Sequence, residues 1–268
     1  MTLLQIRGLN VHAKGRALVQ DVNLTLGAGE RLGLVGESGS GKSLTALAAM
    51  GLLPPGLTAS GSVLLDGQEV IGQPDRALAP LRGAVAAMVF QDPRMALDPL
   101  MRLGDQLAVP LRRRARREGR ALSRQALRAA QVAALERVAI ADPARILDAW
   151  PHQVSGGQRQ RVAIAMALAC APRLLIADEP TTALDVSTQA EVMVLLDRLV
   201  RDEGLALLFI SHDLPVVAGI ADRVAVMAQG RLVEEGPTAQ VFRTPTQPYT
   251  QGLIAAARRL DSALGAGT

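Results

Sequence analysis

Cysteine and aromatic residues are both scarce in this chain of 268 residues. Cys170 is the only cysteine, which excludes a disulfide and a four-cysteine metal cluster within the chain. This cysteine usage is consistent with a reduced cytoplasmic setting. Aromatic residues make up 2% of the sequence, which argues against the stacking platforms that bind single-stranded nucleic acid.

Long apolar runs are also missing. No run approaches the roughly 20 residues that a membrane-spanning helix needs. The first seven residues lack a basic segment leading into a long apolar one, so no secretory signal is predicted. If the protein works at a membrane, we expect other chains to supply the membrane part.

Lysine is nearly absent: Lys14 and Lys42 are the only two lysines. Arginine therefore provides most of the positive charge. With the abundance of alanine, this bias indicates genome composition rather than selection for nucleic acid, which is therefore not expected as a partner. The hydrophobic content of 49% and the charged content of 20% predict a full-sized core and argue against global disorder. One large domain, or one domain with lobes, is the expected organisation.

Apolar segments alternate with helical patterns along most of the chain. Strands are predicted at residues 3–6, 22–26, 32–35, 63–65, 85–90, 174–177 and 206–210. Helices are predicted at 43–53 and 188–201, and a hairpin at 224–233. Segment 92–161, rich in Ala, Leu and Arg with helical periodicity at 120–138, is predicted to be a helical lobe inserted between core strands. The alternation predicts an α/β fold with a largely parallel sheet covered on both faces. The sequence contains no internal repeat, so one copy of the domain is expected.

A glycine-rich loop follows the strand predicted at 32–35. It matches the pattern G-x-x-x-x-G-K-[ST] with Gly36, Glu37, Ser38, Gly39, Ser40, Gly41, Lys42 and Ser43. Its glycines let backbone N–H groups curl around phosphate oxygens, and the helix that follows adds its dipole. We predict that Lys42 contacts the β- and γ-phosphates of a nucleotide and that the Ser43 hydroxyl is a ligand of Mg²⁺. A flexible Gly/Ser turn is the alternative, which the position between an apolar strand and a helix disfavours.

Asp178 and Glu179 follow the apolar strand predicted at 174–177. Ligands bind at the carboxyl ends of the strands in open α/β sheets. Both carboxylates are therefore expected beside the glycine-rich loop of residues 36–43, which we call the phosphate loop. We predict that Asp178 holds Mg²⁺, directly or through water, and that Glu179 orients or deprotonates an attacking water. The alternative is a solvated acidic turn.

A third motif consists of Ser155, Gly156, Gly157 and Gln158. Ser155 as the N-cap and Gln158 as its partner fit a capping box, which by itself would explain these four residues. A helix start with two glycines also exposes N–H groups that suit an anion. The structural and the functional interpretation are compatible with each other.

The order of these motifs resembles that of the ABC transporter ATPases across nearly the whole chain. Gln91 is similar to the glutamine of the family's Q-loop, Asp185 to its D-loop, and His212 to its switch histidine. The resemblance implies a P-loop NTPase fold with a RecA-like core, an N-terminal antiparallel β subdomain and a helical subdomain inserted at about 92–161. This ABC domain would span residues 1–242 and precede a tail at 243–268.

The resemblance also implies that two such domains hold two ATP molecules between them. Each phosphate loop would face the motif 155–158 of the other chain, where Ser155 and Gly157 contact the γ-phosphate, and Asp185 would cross the interface. The implied catalytic residues are Glu179, His212 and Gln91. The implied ligands of Mg²⁺ are Ser43, Gln91 and Asp178.

Three further segments are similar to the oligopeptide/dipeptide and nickel importers of this family, namely residues 90–99, 150–153 and 244–253. This similarity implies two integral membrane permease subunits, an extracytoplasmic substrate-binding protein that acts through them, and a second ATPase chain, identical or different. The expected location is the cytoplasmic face of the bacterial inner membrane, as a peripheral subunit. Peptides and nickel or other metal chelates both stay open as cargo.

The sequence departs from the family pattern at one position, and it also contains a run of arginines. The family stacks adenine on an aromatic residue near the end of the first strand, where this chain has His12 and Ala13. Preference for ATP over GTP is therefore implied by the resemblance alone. The arginine run at 112–120 is predicted to be an exposed helix end or loop with solvated charges, and anionic headgroups or nucleic acid are the alternative partners.

Two functions without transport are the alternatives. A soluble ABC ATPase of translation or DNA maintenance usually carries tandem domains or long coiled-coil insertions, and this sequence has neither. An ATP-binding component of a metabolic complex, of the phosphonate-breakdown type, shares the tail and stays open.

Overall fold

A computed structural model describes residues 1–181 and 185–265, without the side chains of residues 94, 186, 187 and 260–265. The chain divides into two units. The first unit consists of Met1–Ala79 and the described part of Ala206–Thr268, and the second unit consists of Pro80–Leu205.

The strands within the described ranges are β1 (Thr2–Ala13), β2 (Arg16–Gly27), β3 (Arg31–Val35), β4 (Leu57–Leu65), β5 (Gln68–Glu69), β6 (Ala86–Val89), β7 (Leu174–Asp178), β8 (Ala206–Ser211), β9 (Arg223–Ala228) and β10 (Arg231–Pro237).

The α-helices within the same ranges are α1 (Lys42–Ala49), α2 (Asp75–Leu78), α3 (Leu103–Arg117), α4 (Arg124–Arg137), α5 (Pro143–Asp148), α6 (Gly156–Leu168), α7 (Val186–Glu203), α8 (Leu214–Ile220), α9 (Thr238–Arg243) and α10 (Pro248–Gly265). Two short 3₁₀ helices cover Pro93–Met95 and Pro151–Gln153. None of these helices combines the length and the apolar character that crossing a bilayer requires.

The first unit contains an antiparallel sheet and a largely parallel one. The antiparallel sheet has the order β2-β1-β4-β5. In the other sheet, β3 pairs in parallel with β8 and β9, and β10 pairs antiparallel with β9. Strand β8 is buried along its whole length, as expected for a strand covered on both faces. The predicted hairpin around Gln229-Gly230 corresponds to β9 and β10.

The second unit joins a parallel pair of strands to a group of helices. Strands β6 and β7 pair in parallel, with Val89 opposite Ala177. Helices α3 to α6 occupy most of the chain between these two strands. Helix α6 continues to Leu168, beyond the segment 92–161 in which helices were expected, because its apolar residues Val162, Ile164 and Leu168 are buried.

Two predicted helix boundaries were wrong. Helix α1 ends at Ala49 and not at Leu53, because Gly51 adopts a left-handed conformation with φ +62° that stops the helix. Helix α4 begins at Arg124 and not near residue 120, because Ser123 caps it by accepting a hydrogen bond from the backbone N–H of Ala126.

Candidate nucleotide-binding and hydrolysis site

The phosphate loop connects β3 to α1 in the first unit, as predicted. Gly36, Gly39 and Gly41 have φ values of +150°, +79° and +103°, which favour glycine. A Cβ atom on Gly36 would lie 2.1 Å from the carbonyl oxygen of Met227 in β9. Glycine is therefore required at residue 36 for both its conformation and its lack of a side chain.

Lys42 is buried in this loop, with 4% of its surface exposed. Its Nζ donates hydrogen bonds of 2.8 Å to the carbonyl oxygens of Gly36 and Glu37. The nearby Ser40 hydroxyl is also buried and has no hydrogen-bond partner among the described residues. The loop therefore suits a polyanion such as a nucleoside triphosphate, because it combines the buried cation of Lys42, the unpaired hydroxyl of Ser40 and the N-terminus of α1.

His212 follows β8 at the edge of the sheet where the phosphate loop follows β3. Val35 and Ser211 lie opposite each other in the parallel pair, so both chain segments leave the sheet at the same edge. The His212 side chain is exposed. Asp213 then caps α8 by accepting a hydrogen bond from the backbone N–H of Val216. The first unit thus brings His212 to the loop side of its sheet.

Gln91 and the acidic pair meet in the second unit. The side-chain amide of Gln91 donates from Nε2 to Glu179 Oε2 at 3.0 Å. Asp178, at the end of β7, is 7% exposed, and Glu179 has a φ of +45°, which is uncommon for a residue with a side chain. Because β6 and β7 are parallel and in register, Gln91 and Glu179 leave them on the same side.

The motif 155–158 forms the start of α6 as the predicted capping box. Ser155 Oγ accepts from the backbone N–H of Gln158, and Gln158 Oε1 accepts from the backbone N–H of Ser155, at 3.2 and 3.1 Å. A Cβ atom on Gly157 would lie 2.5 Å from Thr188 Cγ2 in α7. Glycine at residue 157 therefore allows α6 and α7 to approach closely.

Asp185 is the N-cap of α7 and bonds to Thr188, the residue that lies against Gly157. Its carboxylate accepts from the backbone N–H of Thr188 at 3.0 Å and from Thr188 Oγ1 at 2.8 Å. Ala183 and Leu184 of the predicted D-loop lie outside the described residues. Through Thr188, the structure brings the predicted D-loop residue and the motif 155–158 together.

Known proteins are similar to this chain in sequence and in fold. Residues 19–182 match the family model described as ABC transporter. The oligopeptide transport ATP-binding protein OppD of Haemophilus influenzae is 46% identical over 97% of this chain and 80% of that protein. OppD of Salmonella typhimurium is 48% identical over 91% of this chain and 71% of that protein. The chain belongs to the ABC transporter family.

A solved structure of an ABC protein has the same fold. The dimeric ATP-binding cassette MJ0796, in a post-hydrolysis state bound to ADP and Pi, is 29% identical with a TM-score of 0.77, covering 88% of this chain and 98% of that one. The predicted ABC fold class is therefore confirmed, and so is the prediction of an ABC ATPase.

Three contacts of this ABC ATPase were not predicted. Met227 lies under the phosphate loop, with its carbonyl oxygen against Gly36 and its Cε near Gly41. Thr188 joins Asp185 to Gly157, and the Tyr249 hydroxyl accepts a hydrogen bond from the backbone N–H of Glu37 at 3.2 Å. No local pattern marks Met227 or Thr188, whereas Tyr249 lies in a tail segment that the family resemblance had singled out.

His12 and the arginine run have simple surroundings in the structure. His12 is partly exposed in β1, between Ala17 of β2 and Thr58 of β4. The arginine run forms the last turns of α3 and the residues after it. Arg117 donates to the carbonyl oxygen of Cys170 at 2.8 Å. Hydrogen bonds from Arg114 and Arg120 lower the pKa of Glu118 to about 2, so local pairing satisfies part of the run.

Proposed function

We propose that this chain is the ATP-hydrolysing subunit of a peptide importer. The observation that carries the hydrolysis part of the proposal is the 3.0 Å hydrogen bond between Gln91 and Glu179, next to the buried carboxylate of Asp178. Glu179 is the base or orienting group for water, and Gln91 holds its carboxylate in one direction. His212, at the loop side of the first unit, contacts the γ-phosphate through its imidazole.

ATP binding rests on residues Gly36, Glu37, Ser38, Gly39, Ser40, Gly41, Lys42 and Ser43. Lys42 leaves the carbonyl oxygens of Gly36 and Glu37 to contact the phosphates, and the backbone N–H groups surround them. The proposed donors for Mg²⁺ are the hydroxyl of Ser43, the amide oxygen of Gln91 and the carboxylate of Asp178, which are the hard oxygen ligands that Mg²⁺ prefers. When bound, the ion neutralises charge on the phosphate oxygens.

The proposed enzyme is a dimer of ABC domains. The start of α6 presents Ser155, Gly156, Gly157 and Gln158 to the nucleotide held by a second, identical or different, ATPase chain. Asp185, next to this motif through Thr188, crosses the same interface. The dimeric form of the related cassette MJ0796 supports this assembly.

The proposed contact with membrane permeases lies on the second unit, after Gln91. Large apolar side chains are exposed there: Met95 is 77% exposed, Leu100 86% and Val109 61%. Val109 and Met101 also line a cavity of about 680 Å³ beside α3 and α4. Met101 and Val109 lie together at this cavity, and contiguous exposed apolar groups are typical of interaction surfaces. We place the chain at the cytoplasmic face of the membrane, bound to two permeases that receive cargo from an extracytoplasmic binding protein.

Peptides are the proposed cargo. The OppD relatives of two organisms are named as oligopeptide transport proteins, and their similarity covers more than nine-tenths of this chain. A nickel or other metal chelate is the second candidate, because the segments 90–99 and 244–253 are similar to both kinds of importer.

The test is to purify the complex from membranes through a tag on this chain, rebuild it in lipid vesicles together with its extracytoplasmic binding protein, and measure the uptake of labelled peptide and of nickel. We expect two integral membrane proteins to copurify and peptide uptake to require ATP. The matched control is a complex with Lys42→Ala, which should assemble but not transport. A complex without integral membrane proteins would favour the metabolic alternative, and uptake of nickel alone would overturn the peptide assignment.

A further inference from the structure

The residues between α9 and α10 are bound to β10 by the carboxylate of Glu234. The carboxylate of Glu234 accepts three hydrogen bonds. The backbone N–H of Thr246 donates at 2.7 Å, the hydroxyl of Thr246 at 2.9 Å, and the backbone N–H of Gln247 at 3.2 Å. Two residues later, Tyr249 lies in the first turn of α10. Thr250 and Ile254 of that helix are buried, so the helix is packed onto the unit and not merely appended to it.

Tyr249 contacts the same peptide group that holds Lys42. The peptide between Gly36 and Glu37 has its carbonyl oxygen on Gly36 and its N–H on Glu37. Lys42 Nζ donates to that oxygen at 2.8 Å, and that N–H donates to the Tyr249 hydroxyl at 3.2 Å. Because a peptide group is planar and its two polar ends point in opposite directions, the two hydrogen bonds together fix its orientation. Each bond also polarises the other.

We propose that Tyr249 is a positioning residue for the phosphate loop, and that the tail segment Thr246–Tyr249 thereby sets the affinity of the chain for ATP. Tyr249 holds the peptide group between Gly36 and Glu37 in the orientation from which Lys42 turns to the phosphates. Without the hydrogen bond to Tyr249, this peptide group can rotate once Lys42 has turned away. Ordering the peptide group then costs free energy and weakens nucleotide binding. The inference rests on the proposed role of residues 36–43 in binding ATP.

The first experiment removes only the hydroxyl, with Tyr249→Phe in the full chain. The dissociation constant of a fluorescent ATP analogue and the KM for ATP are expected to rise about 3- to 10-fold, the effect of losing one neutral hydrogen bond. The kcat is expected to stay within about a factor of two, since Tyr249 acts on binding and not on chemistry. Thr244→Val is the matched control, because its hydroxyl lies in the same tail but donates to the carbonyl oxygen of Gln240.

A second variant acts on the anchor and leaves Tyr249 and the loop intact. Glu234→Gln keeps the shape of the side chain but replaces one accepting oxygen with an N–H₂ group. Like Tyr249→Phe, it should raise the dissociation constant of the ATP analogue. In the double variant, the fold-increase should be smaller than the product of the two single fold-increases. Equal affinity in wild type and in both single variants would overturn the inference.

A third measurement needs no substitution at residue 249. Tyr249 is the only tyrosine, so a chain made with 3-fluorotyrosine has one ¹⁹F signal. That signal is expected to shift on adding ATP in the otherwise wild-type chain and to stay unchanged in Lys42→Ala. If the wild type binds ATP and Lys42→Ala does not, but the signal never moves, the inference fails while the proposed site stands. If the wild type does not bind ATP, or Lys42→Ala binds it as well, the proposed site itself fails.

Discussion

The phosphate loop and the start of α6 both place glycines at a helix N-terminus, but different parts of the chain hold them. The loop is held from a distance: Met227 lies against Gly36, the backbone N–H of Gly230 donates to the carbonyl oxygen of Ser40 at 3.0 Å, and Tyr249 contacts Glu37. The start of α6 is held by Ser155 and Gln158, three residues apart in the same motif. The loop therefore depends on the tertiary structure of its unit, whereas the start of α6 stabilises itself.

The largest expected effect comes from filling the space at Gly36. The Cβ atom of Gly36→Ala would overlap the Met227 carbonyl oxygen and strain the backbone, so we expect about 3 kcal/mol or more of destabilisation and loss of ATP binding. The measurement is denaturant unfolding together with nucleotide titration.

The control for this substitution is Gly39→Ala. Gly39 also has a positive φ, +79°, but apart from its neighbours in the chain no described atom lies within 4 Å of its Cβ position. It should cost only about 1–2 kcal/mol, the price of the backbone conformation. Equal losses for the two variants would show that Met227 does not support the loop.

Gly157→Ala tests a distant contact of the α6 motif, that of Gly157 with Thr188. The new Cβ atom would lie 2.5 Å from the methyl group of Thr188, for which we expect about 1–3 kcal/mol of destabilisation. Thr188→Ser removes that methyl group and keeps a hydroxyl to donate to Asp185. The double variant should therefore regain much of the stability in unfolding experiments, and a double variant no better than Gly157→Ala would contradict the packing explanation.

Ser155→Ala tests the local part of the same motif. Loss of the N-cap hydrogen bond should cost about 1 kcal/mol. Ser123→Ala is the matched control, since Ser123 caps α4 in the same manner, away from the proposed site. Both should lower stability by similar amounts in unfolding experiments, while only Ser155→Ala should reduce ATP hydrolysis. A much larger loss of stability for Ser155→Ala would mean that distant contacts hold this helix start as well.

The smallest expected effect is the response of the tail anchor to acid. Burial raises the pKa of Glu234, but hydrogen bonds from Thr246 and Gln247 outweigh it and lower the pKa below its ordinary value. The stability from this carboxylate is therefore present above its ordinary pKa and is lost as the pH falls through the lowered one. Wild type should be more stable than Glu234→Gln at neutral pH, and the difference should shrink below about pH 4. A difference that does not change with pH would contradict this assignment.

The amino-acid sequence predicts much of this molecule because several of its features are local. The capping box of Ser155 and Gln158 was predicted from a four-residue pattern and is present, and β3 followed from a short apolar run. The meeting of Gln91 with Glu179 was only half predictable. Parallel strands end at the same edge, but their order and register are set by tertiary pairing.

Other contacts could not be predicted from the sequence, because they form only through tertiary pairing. Met227 is one apolar residue in a buried strand, and only the pairing of β9 with β3 brings its carbonyl oxygen to Gly36. Tyr249 is 212 residues from Glu37 in the chain. Helix α1 ends early because of the left-handed conformation of Gly51. The sequence did not predict this end, because most of the surrounding residues favour a helix.

The most direct test of the proposed hydrolysis site is the rate of ATP hydrolysis by Glu179→Gln, measured beside its affinity for ATP. We expect the affinity to stay at the wild-type value and the kcat to fall about 10²- to 10⁴-fold, as for the loss of a catalytic base. Glu136→Gln, an exposed carboxylate on α4, is the control and should behave as wild type. Hydrolysis by Glu179→Gln at the wild-type rate would contradict the assignment of Glu179 and, with it, the role of its contact with Gln91.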